Sequence, residues 1–120
     1  MGSTLLADKV KLIRSEIVPA ASGEIEVGQD KNKNTEVEIK VEHLAKPQEL
    51  TPPKTTYVVW IKSPSSSARN VGQLAINDDL KGELKTVTPL PNFDVLITAE
   101  DNPDTTGPPG DLVLHASVGR

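Results

Sequence analysis

No cysteine occurs among the 120 residues, which removes thiol nucleophiles, Cys-ligated zinc, iron–sulfur clusters and disulfide staples at once. Aromatics are nearly as scarce, with one Trp, one Tyr and one Phe. A core must therefore be assembled mainly from Val, Ile and Leu, which suit pleated surfaces. No apolar run approaches the roughly 18 to 20 residues of a membrane helix. Basic residues occur only as isolated pairs such as Lys31 and Lys33, and the net charge is −4 with the two signs interleaved. That pattern leaves no electrostatic footprint for nucleic acid or anionic lipid, so neither nucleic-acid binding nor membrane insertion by this segment is expected. The start of the chain has no basic region followed by an apolar stretch, as a signal peptide requires. Leu6 also stands where a myristoylation signal needs Ser or Thr. Residues Met1–Ser3 read as an appended leader and residues 1–8 as a flexible tail, with one domain over residues 9–120.

What the chain does contain is punctuation: ten prolines and eight glycines divide it into short extended pieces, none with a sustained helical apolar period. The clearest is Thr35–Leu44, where Val37, Ile39 and Val41 alternate with Glu36, Glu38, Lys40 and Glu42, a strand with one buried and one solvated face. Val10 and Leu12 share a face in an earlier piece, as do Ile25 and Val27 in the next. Tyr57–Lys62 is apolar on both faces and reads as a central strand, with Trp60 placed between two sheets. Val71–Asn77 and Glu83–Thr88 follow. In the second, Leu84 and Val87 fall out of phase and suggest a bulge. Phe93, Val95, Ile97 and Ala99 share one face, and so by alternation do Leu112, Leu114, Ala116 and Val118. Seven or eight short strands with turn signals at this spacing predict an all-β, immunoglobulin-like sandwich, mostly antiparallel. Tyr57, Trp60 and Phe93 are its expected structural core.

Candidate sites are few. Asp30-x-Asn32-x-Asn34 has the oxygen spacing of the first half of a calcium loop. Its sixth position is Thr35 rather than Gly and its twelfth Val41 rather than Glu, so a solvated hairpin turn fits better. Glu100, Asp101 and Asp104, with Asp111 nearby, are the weak metal candidates, because loops at one sandwich end can bring carboxylates together. Acidic residues also simply solvate turns. His43 and His115 stand alone, without spaced partners. No nucleophile elbow or phosphate-binding glycine loop occurs. Catalytic residues and cofactors are therefore expected to be absent. Two long proline-rich loops, Ala45–Thr56 and Glu100–Gly110, are the expected binding surface, with Pro47, Pro52, Pro53, Asn102, Thr106 and Pro108 as its candidate residues.

From about Val37 to Val118 the chain resembles the extracytoplasmic C-terminal domain of anti-sigma-K factors and related bacterial envelope proteins. The resemblance rests on Tyr57-x-x-Trp60-Ile61, Gly72-x-Leu74, Phe93-x-Val95-x-Ile97-Thr98-Ala99-Glu100 and the Thr106-Gly107-Pro108 turn. It implies a sandwich that works outside the cytoplasm: periplasmic, on the cell surface or lipid-anchored. The helical sigma-binding segment and membrane helix of such regulators have no counterpart in this sequence, so sigma-factor inhibition is carried over to no residue. The expectation is a monomeric, non-catalytic envelope domain that senses or binds a protein or a small ligand. The rivals are a structural, adhesive or carbohydrate-binding module of a larger exported protein and, behind these, a small enzyme.

Overall fold

A computed structural model describes residues 8–15 and 17–119. The expected leader, and all of the expected tail except Asp8, lie outside the described residues. Asp8 itself already opens the first strand.

Nine strands are present among the described residues: β1 (Asp8–Lys11), β2 (Ile13–Arg14), β3 (Ser22–Gln29), β4 (Thr35–Glu42), β5 (Thr56–Lys62), β6 (Arg69–Leu74), β7 (Gly82–Thr88), β8 (Asn92–Glu100) and β9 (Asp111–Gly119). They form two antiparallel sheets packed as a sandwich. One has the order β1-β3-β4-β7 and the other β2-β9-β8-β5-β6. The all-β sandwich is as the sequence predicts. The strand number exceeds the expected seven or eight partly because the first extended piece serves both sheets.

That piece changes partner at Leu12. β1 pairs with β3, whereas β2 pairs with β9 in the opposite sheet. At the crossing, the Leu12 N–H donates to the Gly23 carbonyl at 2.9 Å. A Cβ on Gly23 would lie 2.7 Å from both Leu12 Cδ1 and the Lys40 carbonyl oxygen. Only glycine leaves room for the crossing leucine, so Gly23 is fixed by close approach.

The inner faces follow the period-2 rule. Ile25, Val27, Val37, Ile39 and Val41 from one sheet meet Tyr57, Val59, Phe93, Val95, Ile97 and Leu114 from the other, all buried. Three details depart from the alternation read in the sequence. β7 runs in unbroken register against β4, from Gly82 opposite Val41 to Thr88 opposite Thr35. There is no bulge in it; Val87 simply points outward and stays 52% exposed. The bulges sit elsewhere. One lies where Val59 pairs with Gly72 but Trp60 with Asn70. The other lies where Ile97 pairs with Leu114 but Thr98 with Leu112. The second brings Val113 into the core and leaves Leu112, expected inside, only half-buried.

Two hairpin turns share one design. Asp30 Oδ1 accepts the N–H groups of Asn32 and Asn34 at 2.8 and 2.9 Å. Asn77 Oδ1 accepts those of Asp79 and Lys81 at 2.9 and 3.0 Å. In each, the fourth residue has positive φ, 65° at Lys33 and 61° at Leu80. The calcium-like spacing at Asp30 is thus an Asx turn whose carboxylate is occupied by backbone donors.

Candidate functional site

Strand β5 alternates as any strand does. Because Tyr57, Val59 and Ile61 enter the inter-sheet core, Val58 and Trp60 must point away from it, and yet both are fully buried. This corrects the sequence reading: Trp60 is buried on a central strand, but on the outer face of the five-stranded sheet. What covers it is the segment 101–110, which crosses that face as a strap between β8 and β9. A Cβ on Gly107, whose φ is +115°, would sit 3.7 Å from indole Cζ3, which is ordinary packing contact.

The strap is tied down at root and tip. At the root, the Trp60 Nε1–H donates to Thr98 Oγ1 at 2.7 Å. Thr98 in turn donates to Glu100 Oε2 at 2.6 Å, and the Gly110 N–H donates to the same oxygen at 2.6 Å. A buried indole N–H must find an acceptor. Here the acceptor belongs to a chain that ends on the strap's last residue. At the tip, Asn70 Nδ2 donates to the carbonyls of Pro103 and Thr105 at 2.8 and 2.9 Å. The Asn70 side-chain oxygen accepts the Gly72 N–H at 2.9 Å across the β6 bulge, so the bulge aims the amide. Within the strap, Asn102 Oδ1 accepts the Asp104 N–H at 3.0 Å.

The second proline-rich loop, residues 45–55, leaves from the same end. It contains a short 3₁₀ turn at Pro47–Glu49 with Pro47 buried, while Pro52 and Pro53 are exposed. Its N–H at Thr55 donates to the Glu100 carbonyl at 3.0 Å, which fixes the two loop roots side by side. Tyr57 reaches it from beneath, its hydroxyl donating to the Ala45 carbonyl at 2.5 Å. Burial, with the nearby Glu49 charge adding to it, pushes the Tyr57 hydroxyl up to about 12. On the loop's outer side, Lys46 pairs with Asp78 at 2.8 Å. That contact raises the lysine and lowers the carboxyl relative to their ordinary values.

The sequence-derived candidates therefore separate into roles. Glu100 is spent on Thr98 and Gly110, while Asp101 and Asp104 stay exposed in the strap. No three His, Asp or Glu side chains among the described residues come together as a metal-binding group. Asn102, Thr106 and Pro108 are all exposed on the strap. Pro47, Pro52 and Pro53 belong to the neighbouring loop. Thr98 and Asn70, which hold the strap, were not among the sequence candidates. The readable signal for Thr98 was parity: once Tyr57 is inward, Trp60 is outward, and its N–H needs a partner from the adjacent strand.

No protein-family model matches the chain, and no curated protein is similar to it at a significant level.

Proposed function

We propose that this chain is a non-catalytic recognition domain of an exported, envelope-associated protein, acting as a monomer and presenting the strap 101–110 as its binding surface. The observation that carries this reading is the strap itself. Its root and tip are clamped by Glu100 and Asn70, while Asn102, Thr106 and Pro108 face solvent. A loop held in one shape loses little entropy when a partner docks on it. The immunoglobulin-like description belongs to this proposal. The first extended piece, shared between sheets, supports it; the β3–β4 hairpin within one sheet departs from the constant-type strand order. The extracytoplasmic setting draws its support from the resemblance to anti-sigma-K C-terminal domains.

Two measurements test the proposal. In cells making the full-length parent protein, protease added after any outer membrane has been opened, with the cytoplasmic membrane intact, is expected to reach this domain. Protection until the cytoplasmic membrane is broken would overturn the setting. Replacing residues 102–109 by a Gly/Ser linker is expected to keep the sandwich folded and abolish binding by peptides selected from a displayed library against the intact domain. Undiminished binding would show that the strap is not the recognition surface.

A further inference from the structure

The edge strands β6 and β7 belong to different sheets, and Ile76, two residues past the end of β6, bridges Gly82 at the start of β7. Toward Arg69 and Thr88 they splay apart. The opening is a cleft of about 680 Å³, floored by Ile61, Val71 and Leu90 and walled by Ser63, Thr88 and Thr106, with Arg69 among its lining. This lies within the usual volume of a small-molecule site, roughly 300 to 1,000 Å³. A shallower depression continues from it past Ser67 and Thr106 to Lys62.

Charge distinguishes this cleft. The chain carries 17 acidic residues against 13 basic ones, yet no carboxylate lines the cleft or its extension. The depression on the outer face of the four-stranded sheet, by contrast, is lined by Glu26, Glu36 and Glu38. Among the described residues Arg69 and Lys62 have no carboxylate partner, as Lys11, Arg14, Lys31, Lys33 and Lys81 have none, while Lys9, Lys40, Lys46, Lys54 and Lys85 each have one. What sets Arg69 apart is that it lines an apolar cleft free of carboxylates. Hydroxyl chemistry points the same way. Ser63 Oγ and Ser66 Oγ lie 2.5 Å apart, and one proton suffices for that bond, leaving the other to be donated outward. A guanidinium, hydroxyl donors and an aliphatic floor together fit an anion carried on an apolar body.

We infer that this cleft binds the carboxylate of a small aliphatic acid, with Arg69 and the Ser63–Ser66 pair on the anion and Ile61, Val71 and Leu90 against the carbon chain. The inference deepens the recognition reading, on which it rests, because Thr106 is common to strap and cleft. The carboxylate could be a free acid or the C-terminus of a peptide ending in Leu, and the test separates them.

Amide-resolved NMR titration of the isotope-labelled domain would use 4-methylpentanoate, acetyl-Ala-Leu as free acid, and acetyl-Ala-Leu amide. Saturable shifts confined to residues 61–71 and 87–90 are expected from one or both acids and not from the amide. Shifts from 4-methylpentanoate alone assign a free acid, and from the dipeptide acid alone a peptide terminus. Arg69→Gln, an exposed edge-strand change, is expected to weaken binding roughly tenfold. The inference is overturned if neither acid gives saturable shifts up to about 20 mM, a very weak limit. It is equally overturned if the amide binds as well as the acid, or if Arg69→Gln changes nothing. The 102–109 replacement separates the two proposals: cleft binding that survives it, with peptide selection also unaffected, removes the strap reading and leaves the cleft standing.

Discussion

Across the outer face of the four-stranded sheet, paired positions read Lys9, Glu26, Glu38, Lys85 in one row and Lys11, Glu24, Lys40, Glu83 in the next. Across the outer face of the five-stranded sheet, the row through the indole reads Ile13, His115, Leu96, Trp60, Asn70. The first face is left to water and finished with exposed ion pairs. The second is partly dry, because a strap from a remote part of the chain lies over it. Both faces belong to antiparallel sheets of one sandwich, so the sheet does not decide which face is wet. The covering loop does, and it turns a solvated surface into a second, smaller core.

The sharpest way to break this comparison is Trp60→Ala. If the indole is a true second core, removing it will cost about 3 to 5 kcal/mol, as in an inter-sheet core, though it lies outside the main cluster. Urea unfolding followed by far-UV circular dichroism measures the loss. A cost under about 1 kcal/mol, typical of surface sites, would mean the strap merely rests on the sheet. The wild-type indole should also emit in the blue-shifted range of a buried Trp, and a water-exposed emission maximum would reject its burial.

How far the sequence reaches follows the same division. β4 was legible because solvent writes a period of two into it, Val against Glu and Lys. β5 was legible as a covered strand, since every residue from Tyr57 to Ile61 is apolar. The identity of the cover was not, because a strand apolar on both sides does not say which segment lies over which side. The strap is some 40 residues away along the chain from Trp60, and no local pattern links them. Val113 and Leu112 were exchanged for a related reason: one bulge shifts the phase of every residue beyond it. Glu100 is a weak cation candidate in the sequence because it stands near Asp101 and Asp104, while its hydrogen bonds to Thr98 and Gly110 exist only after folding. The cleft was unreadable, since Arg69 and Leu90 become neighbours only when two sheets splay.

A smaller effect tests the strap's root. A Cβ on Gly110 would lie 2.8 Å from Glu100 Oε1 and 3.1 Å from the Ala99 carbonyl oxygen. Gly110→Ala therefore has to displace the carboxylate that Thr98 holds, at a cost of about 1 to 3 kcal/mol. Increased hydrogen exchange at residues 101–109, with β3 and β4 unchanged, is the expected companion. Uniform loosening of both sheets would mean that the strap is not a separable unit.

Tyr57 sharpens the comparison from inside the sandwich, where it ties the other proline-rich loop to β5. Its hydroxyl is raised from 10.0 to about 12 by burial and Glu49. For an acid whose neutral form is favoured in the folded state, the stabilisation is complete below the unfolded value and is lost as pH rises through the folded one. Stability should thus hold up to about pH 10 and fall between roughly 10 and 12. Tyr57→Phe is expected to remove this limb and, at neutral pH, to cost about 1 kcal/mol for the lost bond to Ala45. Denaturant midpoints measured against pH for both proteins check it. An unchanged alkaline limb in the variant would assign the titration to another group.

The smallest effect is expected on the wet face. Glu38 sits between Lys85, 3.4 Å from Oε2, and Lys40, 3.9 Å from Oε1, and faces Glu26 across the pair. Lys9 offsets Glu26 from the other side at 3.7 Å. The Glu38 side chain is half-buried, but Lys85 and Lys40 reach well into water, and pairs with such exposed partners gain little, since screening and side-chain entropy nearly cancel the attraction. Glu38 also feels the like charge of Glu26, which opposes its two lysines. Glu38→Gln removes both influences together, so the change in stability should stay within about 0.5 kcal/mol. Repeating the measurement in about 0.5 M salt, where the Debye length falls below the pair spacings of neighbouring rows, should leave even that small difference unresolved. A loss above about 1.5 kcal/mol, persisting at high salt, would mean that this face too is covered by something that keeps water out. The contrast between the two sheets would then disappear, and the strap would no longer be the feature that sets one face apart.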